Sequence, residues 1–187
     1  KEVVRKHCLL MVRAVWGKSW IVEEFAKNEY DSYVLIDFSN TKNSIRRLFI
    51  DYEGQMDAFF MHLRLETGVK LFDRKSLIVF DEIQNFPKAR EAIKYLVKDG
   101  RYDYIETGSL MSINANVKDI NIPSEEHRID MFPMDFEEFL WALGDDMMMD
   151  YTRECFANRK PLGQSLHRKM MEYFRLYMII GGMPQAV

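Results

Sequence analysis

The chain has 187 residues, of which 48% are hydrophobic and 13% aromatic, so it can bury a substantial core and does not have the composition of a disordered protein. Its formal net charge of -3 argues against bulk affinity for nucleic acid but leaves room for a local basic face. Two cysteines give no disulfide framework, and neither a signal peptide nor a membrane-spanning apolar run is visible, so we expect a cytoplasmic protein that does not enter a membrane.

Apolar runs alternate with helical patterns through the first two thirds of the chain. Strands are predicted over residues 7–12, 33–38, 77–81, 102–107 and approximately 128–132. Helices are predicted over residues 20–27, 44–49, 55–66 and 89–98. This alternation is typical of an α/β domain with a mostly parallel sheet that helices cover on both faces.

After Pro133 the pattern becomes purely helical. Asp135 and Glu138 have the spacing of a capping box, an apolar stripe follows, and further helices are predicted over residues 147–157 and 162–180. We therefore predict an α/β domain over residues 1–134 and a helical lid, or the start of a truncated C-terminal region, over residues 135–187. Because the chain starts without Met and stops soon after Gly182, we expect it to be a fragment of a longer protein.

The first motif is Gly17-Lys18-Ser19, between the first strand and the first helix. It matches the end of the phosphate-binding pattern G-x-x-x-x-G-K-[ST], in which backbone amides and the lysine hold phosphates and the hydroxyl holds Mg²⁺. Val12 replaces the first glycine, and we expect backbone strain there to weaken binding. The predicted nucleotide-binding residues are Val12, Arg13, Ala14, Val15, Trp16, Gly17, Lys18, Ser19 and Trp20.

The second motif is the apolar run 77–80 followed by Asp81 and Glu82. A carboxylate at the end of a strand can hold Mg²⁺ with Ser19, and a second one can orient or deprotonate an attacking water. Neighbouring residues on a strand point to opposite faces, which suits these two roles. The two motifs together predict ATP and Mg²⁺ as ligands. The alternative is a buried strand, an ordinary turn and a surface acidic pair.

Three further features could serve the same site. Thr107 or Ser109, after the fourth strand, could sense the γ-phosphate, and Gln84 could be another polar contact there. Arg128, before the fifth strand, could reach a phosphate as an arginine finger. The alternatives are an ordinary Gly-Ser turn for Thr107 and Ser109, an exposed loop residue for Gln84, and a solvated residue at the strand edge for Arg128.

A basic stripe is predicted on the helix over residues 89–98. Arg90, Lys94, Lys98 and Arg101 recur at helical spacing, so they would share one face. That face could contact a phosphate backbone or an acidic partner, although a solvated helix face is the simpler interpretation.

These residues resemble a family of prokaryotic P-loop ATPases in the AAA+ group, whose members carry an AAA-like domain followed by a domain of unknown function. The resemblance rests on residues 17–25, 77–84, 107–110 and 181–184, and most specifically on Pro133-Met134-Asp135-Phe136-Glu137-Glu138-Phe139-Leu140-Trp141.

The resemblance implies a P-loop NTPase three-layer sandwich with a five-stranded sheet in the order 5-1-4-3-2. It implies that Lys18 and Ser19 bind phosphate and metal, that Asp81 holds the metal shell, and that Glu82 activates the water. Thr107 to Ser109 match the sensor segment, whereas His127 replaces a usual glycine before Arg128. Expected partners are a nucleotide, the missing C-terminal domain and a protein partner or second copy. Two alternatives stay open: a nucleotide-dependent binding module with little hydrolysis, and a nucleic-acid-associated switch.

Overall fold

The computed structural model describes residues 7–12, 17–109 and 126–184, with the backbone alone over 7–12 and at 109, 126 and 128. The strands are β1 His7–Val12, β2 Ser32–Asp37, β3 Ser76–Asp81, β4 Asp103–Ser109 and β5 Glu126–Met131. The helices are α1 Lys18–Glu29, α2 Asn43–Asp51, α3 Met56–Thr67, α4 Pro87–Asp99, α5 Phe136–Ala142, α6 Met148–Ala157 and α7 Gln164–Ile180, with a 3₁₀ turn at Ile83–Asn85. The predicted α/β class is confirmed.

The five strands form one parallel sheet in the order β2-β3-β4-β1-β5. β1 therefore lies between β4 and β5, and β3 lies between β2 and β4. Because all strands run the same way, their carboxyl ends lie at one edge of the sheet. That edge carries the start of α1 and the residues that follow β3.

β3 shows why helices cover both faces of the sheet. All six of its residues are buried. Leu77 and Val79 pack with Val22 and Ala26 of α1 on one face. Ile78 and Phe80 belong to the larger core cluster, which α2, α3 and α4 complete on the other face. A strand buried on both sides is expected to be apolar throughout, as the run 77–80 is.

The larger core cluster is dominated by aromatic rings. Phe49 packs edge-on against Phe59, Phe80 and Phe86, with ring centroids 5.0 to 5.8 Å apart, and Phe38 stacks on Phe86. Edge-to-face and offset arrangements are the favourable ones for aromatic pairs. Ile83 of the 3₁₀ turn belongs to this cluster, so the turn that carries the polar residues after β3 is anchored in the core.

Residues 132–187 form a second compact unit, whereas the sequence predicts a boundary after residue 134. The predicted capping box is confirmed, because Asp135 accepts from the Glu138 amide and Glu138 accepts from the Asp135 amide. Gly182 is required by close packing, since a Cβ there would lie 2.0 Å from the Met134 carbonyl oxygen. Among the described helices, none combines the length and apolar character needed to cross a bilayer.

Candidate active site

The first component of the site is the start of α1. Gly17 is its N-cap with φ 114°, a left-handed conformation in which glycine is strongly favoured. The first intrahelical bond runs from the Ile21 amide to the Gly17 carbonyl at 2.9 Å. The amides of the opening turn, from Lys18 to Trp20, have no intrahelical acceptor, and such amides attract anions.

The second component is Asp81, the last residue of β3, which is 5% exposed. The Ser19 hydroxyl donates to Asp81 Oδ2 at 2.6 Å. The buried Thr107 hydroxyl, on β4, donates to Asp81 Oδ1, and the Glu82 amide donates to the same oxygen at 3.2 Å. Both oxygens of this carboxylate are therefore fixed, one by α1 and the other by the neighbouring strand.

The third component is Glu82, whose backbone is left-handed at φ 53° and ψ 46°. Lys18 Nζ forms an ion pair with Glu82 Oε1, and Gln84 Nε2 donates to Glu82 Oε2. The Lys18 and Glu82 side chains are 13% and 29% exposed, so solvent and small ligands can reach the pair.

The expectation that Asp81 and Glu82 point to opposite faces is wrong. Strand alternation requires an extended backbone, and Glu82 has already left the strand for the left-handed region. Its carboxylate consequently turns to Lys18, next to the Ser19 hydroxyl that Asp81 contacts. Two adjacent carboxylates thus meet two adjacent residues of α1 at one place.

These residues fit a nucleotide with Mg²⁺. A hydroxyl and a carboxylate oxygen 2.6 Å apart are hard oxygen donors of the kind Mg²⁺ prefers, and they leave its other positions for phosphates and water. A lysine and a helix N-terminus beside them supply positive charge for phosphate oxygens. A second carboxylate stands within the same cluster and is not needed for the metal.

The remaining predicted residues are placed as follows. Val12 ends β1 in register with Ser109 and Met131, so its backbone is extended and the expected strain is absent. Ser109 ends β4, and its side chain lies outside the described residues. Arg13, Ala14, Val15 and Trp16 also lie outside them. Trp20, at the opening turn of α1, is 67% exposed.

The sequence places Arg128 before the fifth strand, but in the structure Arg128 lies within that strand. β5 begins at Glu126, and Arg128 is its third residue, in register with Leu9 of β1. Its side chain is outside the described part of the chain. The prediction failed because the apolar run that marked the strand begins after its true start.

The predicted basic stripe is not formed. Arg90 is 2% exposed and forms an ion pair with the fully buried Glu106 of β4. Arg101 follows the end of α4, and its guanidinium bonds Asp99 and Asp57 and lies over the Phe60 ring. Lys94 and Lys98 remain exposed. The helix turns about 100° per residue, so Arg90 shares the buried face with Ile93 and Val97.

Sequence reasoning missed the roles of Thr107 and Glu106. The sequence suggests Thr107 as a phosphate sensor, whereas its buried hydroxyl contacts Asp81. Glu106 carried one usable signal: a charged residue in the middle of a central strand must have a partner. The partner, sixteen positions earlier on α4, could not be read from the sequence.

Comparison with known proteins gives one family. A family model described as an AAA domain matches residues 12–140, which is more than half of the chain. No curated protein sequence matches. Among solved structures, the chain is similar to the Hef helicase domain of Pyrococcus furiosus, with 13% identity and a TM-score of 0.33, over 95% of this chain and 51% of that one. The chain thus spans about half the length of that structure. The chain belongs to the AAA domain family, a group of nucleotide-binding, ATPase-like domains.

Proposed function

We propose that this chain binds ATP with Mg²⁺ and hydrolyses it, and that hydrolysis drives a conformational change passed to a partner, either another domain or a second copy. The observation that carries the proposal is the convergence of Lys18, Ser19, Asp81 and Glu82 at the carboxyl edge of the sheet. Parallel α/β sheets bind ligands at this edge. In this interpretation the sheet is that of a P-loop NTPase three-layer sandwich.

Each side chain has one task in the proposed reaction. Lys18 binds phosphate oxygens, and Ser19 with Asp81 holds Mg²⁺, which when bound offsets the charge that develops on the phosphates. Thr107 keeps Asp81 oriented through its hydroxyl. Glu82 orients the attacking water and accepts its proton.

The side chains that would bind ATP and Mg²⁺ contact each other in pairs. Lys18 contacts Glu82, and Ser19 contacts Asp81. Phosphate has to replace Glu82 at Lys18, and this exchange releases the carboxylate at the moment the substrate arrives. The ion pair is partly exposed, so breaking it costs less than separating a fully buried pair.

A second candidate is a nucleotide-dependent binding module with little turnover. The Lys18–Glu82 pair favours this function, because nucleotide binding would break the pair and rearrange the site even without hydrolysis. Steady-state phosphate release separates the two functions. The third alternative, a nucleic-acid-associated switch, loses its support because Arg90 is buried rather than exposed.

The test of the proposed site is Lys18→Ala, with ATP and Mg²⁺ binding measured by titration calorimetry. We expect the binding to be lost, because the phosphates lose the lysine that the motif provides. Lys27→Ala is the matched control, since Lys27 lies on the same helix and pairs with exposed Glu23 and Glu24. Retained ATP affinity in Lys18→Ala would contradict the proposal.

A further inference from the structure

Gln84 lies in the 3₁₀ turn that immediately follows Glu82. Its Nε2 donates to Glu82 Oε2, while Lys18 contacts the other oxygen, Oε1. The orientation of the amide follows from the partner: an ionised carboxylate only accepts hydrogen bonds, so the NH₂ end of the amide must face it. Glu82 is therefore held from two sides, by a cation on α1 and by a neutral amide two residues away.

The oxygen of the Gln84 amide lowers the stability of the fold. Gln84 Oε1 is buried, and no donor in the described part of the chain is within hydrogen-bond distance of it. A buried acceptor without a partner reduces stability, and such groups in native proteins call for a reason other than folding. The reason here lies on the Nε2 side, at Glu82.

Phosphate binding would remove the Lys18 contact of Glu82 and leave the Gln84 contact in place. When Lys18 contacts a phosphate oxygen, Glu82 loses its ion pair. Among the described side chains that bond the Glu82 carboxylate, Gln84 then remains. Glu82 is 29% exposed, so without a second contact its carboxylate is free to rotate into solvent. The amide is uncharged, and it can hold the carboxylate without replacing the lysine as a counter-ion.

We propose that Gln84 is a positioning residue, which holds the Glu82 carboxylate in place once the bound nucleotide has taken Lys18. The inference rests on the proposed function, because it concerns the same site. Gln84 touches neither phosphate nor metal in this role and acts through Glu82. Its loss therefore lowers turnover and leaves nucleotide affinity unchanged, a separation that general misfolding does not produce.

The experiment compares Gln84→Met with the unmodified chain. Methionine has nearly the same length and volume but cannot donate. We expect kcat for ATP to fall at least about tenfold, the lower end of the effect of losing a hydrogen bond to a charged group, with ATP affinity unchanged within about twofold. Gln84→Glu, whose ionised carboxylate cannot donate and repels Glu82, should lower kcat at least as much. Asn85→Ala is the matched control, since Asn85 is the exposed neighbour in the same turn.

Combination with Glu82→Gln decides whether Gln84 acts through Glu82. If it does, adding Gln84→Met to Glu82→Gln leaves the residual turnover unchanged, because residues that act as a unit are not additive. A further fall of about tenfold in the double variant, or normal kcat in Gln84→Met, would overturn the inference alone. If the unmodified chain binds ATP but releases no phosphate, both the proposed hydrolysis and the Gln84 role fail.

Discussion

Two ion pairs of the α/β domain differ in what surrounds them. Lys18 and Glu82 meet at the carboxyl edge of the sheet, where solvent reaches both side chains. Arg90 and Glu106 meet between α4 and β4, with exposures of 2% and 0%. Separating a partly exposed pair costs less than separating an enclosed one, which would lose a contact between two groups in the core.

The comparison teaches that a charged residue in this chain cannot be interpreted from its spacing alone. Arg90 has the helical spacing of a binding stripe and serves the core. Lys18 was identified by its motif and lies where a ligand can reach it. Burial, rather than the type of residue, separates the structural pair from the candidate functional pair. Four variants test that separation, from the largest expected effect to the smallest.

Glu82→Gln removes the carboxylate from the accessible pair and should abolish turnover while keeping ATP binding. We expect phosphate release to fall by about 10²- to 10⁴-fold, the usual contribution of a general base. ATP affinity should be equal or higher, because a neutral amide competes less for Lys18. Steady-state kinetics and calorimetry on one sample measure both. Glu91→Gln is the control, because Glu91 forms an exposed ion pair with Lys88 on α4. Unchanged turnover in Glu82→Gln would show that another group activates the water.

Arg90→Met breaks the enclosed pair and should destabilise the fold. We expect a loss of about 3–5 kcal/mol in the free energy of unfolding, because Glu106 would stay in the core without its contact to the Arg90 guanidinium. Adding Glu106→Leu should recover much of this loss, since an apolar pair of similar volume is often tolerated. Urea unfolding measures both effects. A loss in Arg90→Met no larger than that in Lys94→Met, on the same helix, would mean that the pair is not structural.

Thr107→Val tests the connection between the core and the accessible site. Valine keeps the shape of threonine but removes the hydroxyl that donates to Asp81. We expect the Mg²⁺ concentration for half-maximal ATP binding to rise about three- to thirtyfold, equivalent to about 0.7–2 kcal/mol. Thr107→Ser keeps the hydroxyl and should stay close to the unmodified chain. Equal Mg²⁺ dependence in both variants would show that the Thr107 hydroxyl does not orient Asp81 for metal binding.

Replacing Lys94 and Lys98 with Gln should have the smallest effect. Both side chains are exposed on α4, and surface substitutions usually change stability by less than about 0.5 kcal/mol. ATP turnover should be unaffected, and the chain should not retard a DNA duplex in a gel at physiological salt. A clear shift that the double variant loses would restore the nucleic-acid interpretation despite the burial of Arg90.

The sequence by itself determined the α/β class, the run of strands and helices, and the capping box at Asp135. These features depend on local periodicity and on a few specific side chains, so nearby residues are enough to predict them. The sequence also singled out Lys18, Ser19, Asp81 and Glu82, because two short motifs mark where strands end. It identified the family as well, which the match over residues 12–140 confirms.

Only the tertiary structure decided which of these groups contact each other and which charges are buried. The left-handed turn at Glu82 brings that carboxylate to Lys18 and Gln84, and an alternating strand pattern cannot anticipate it. Val12 keeps an extended backbone because two neighbouring strands pair with it. Arg90 is enclosed because β4 places Glu106 beneath α4. Each outcome depends on residues far apart in the chain, and the distances between such residues are set by packing.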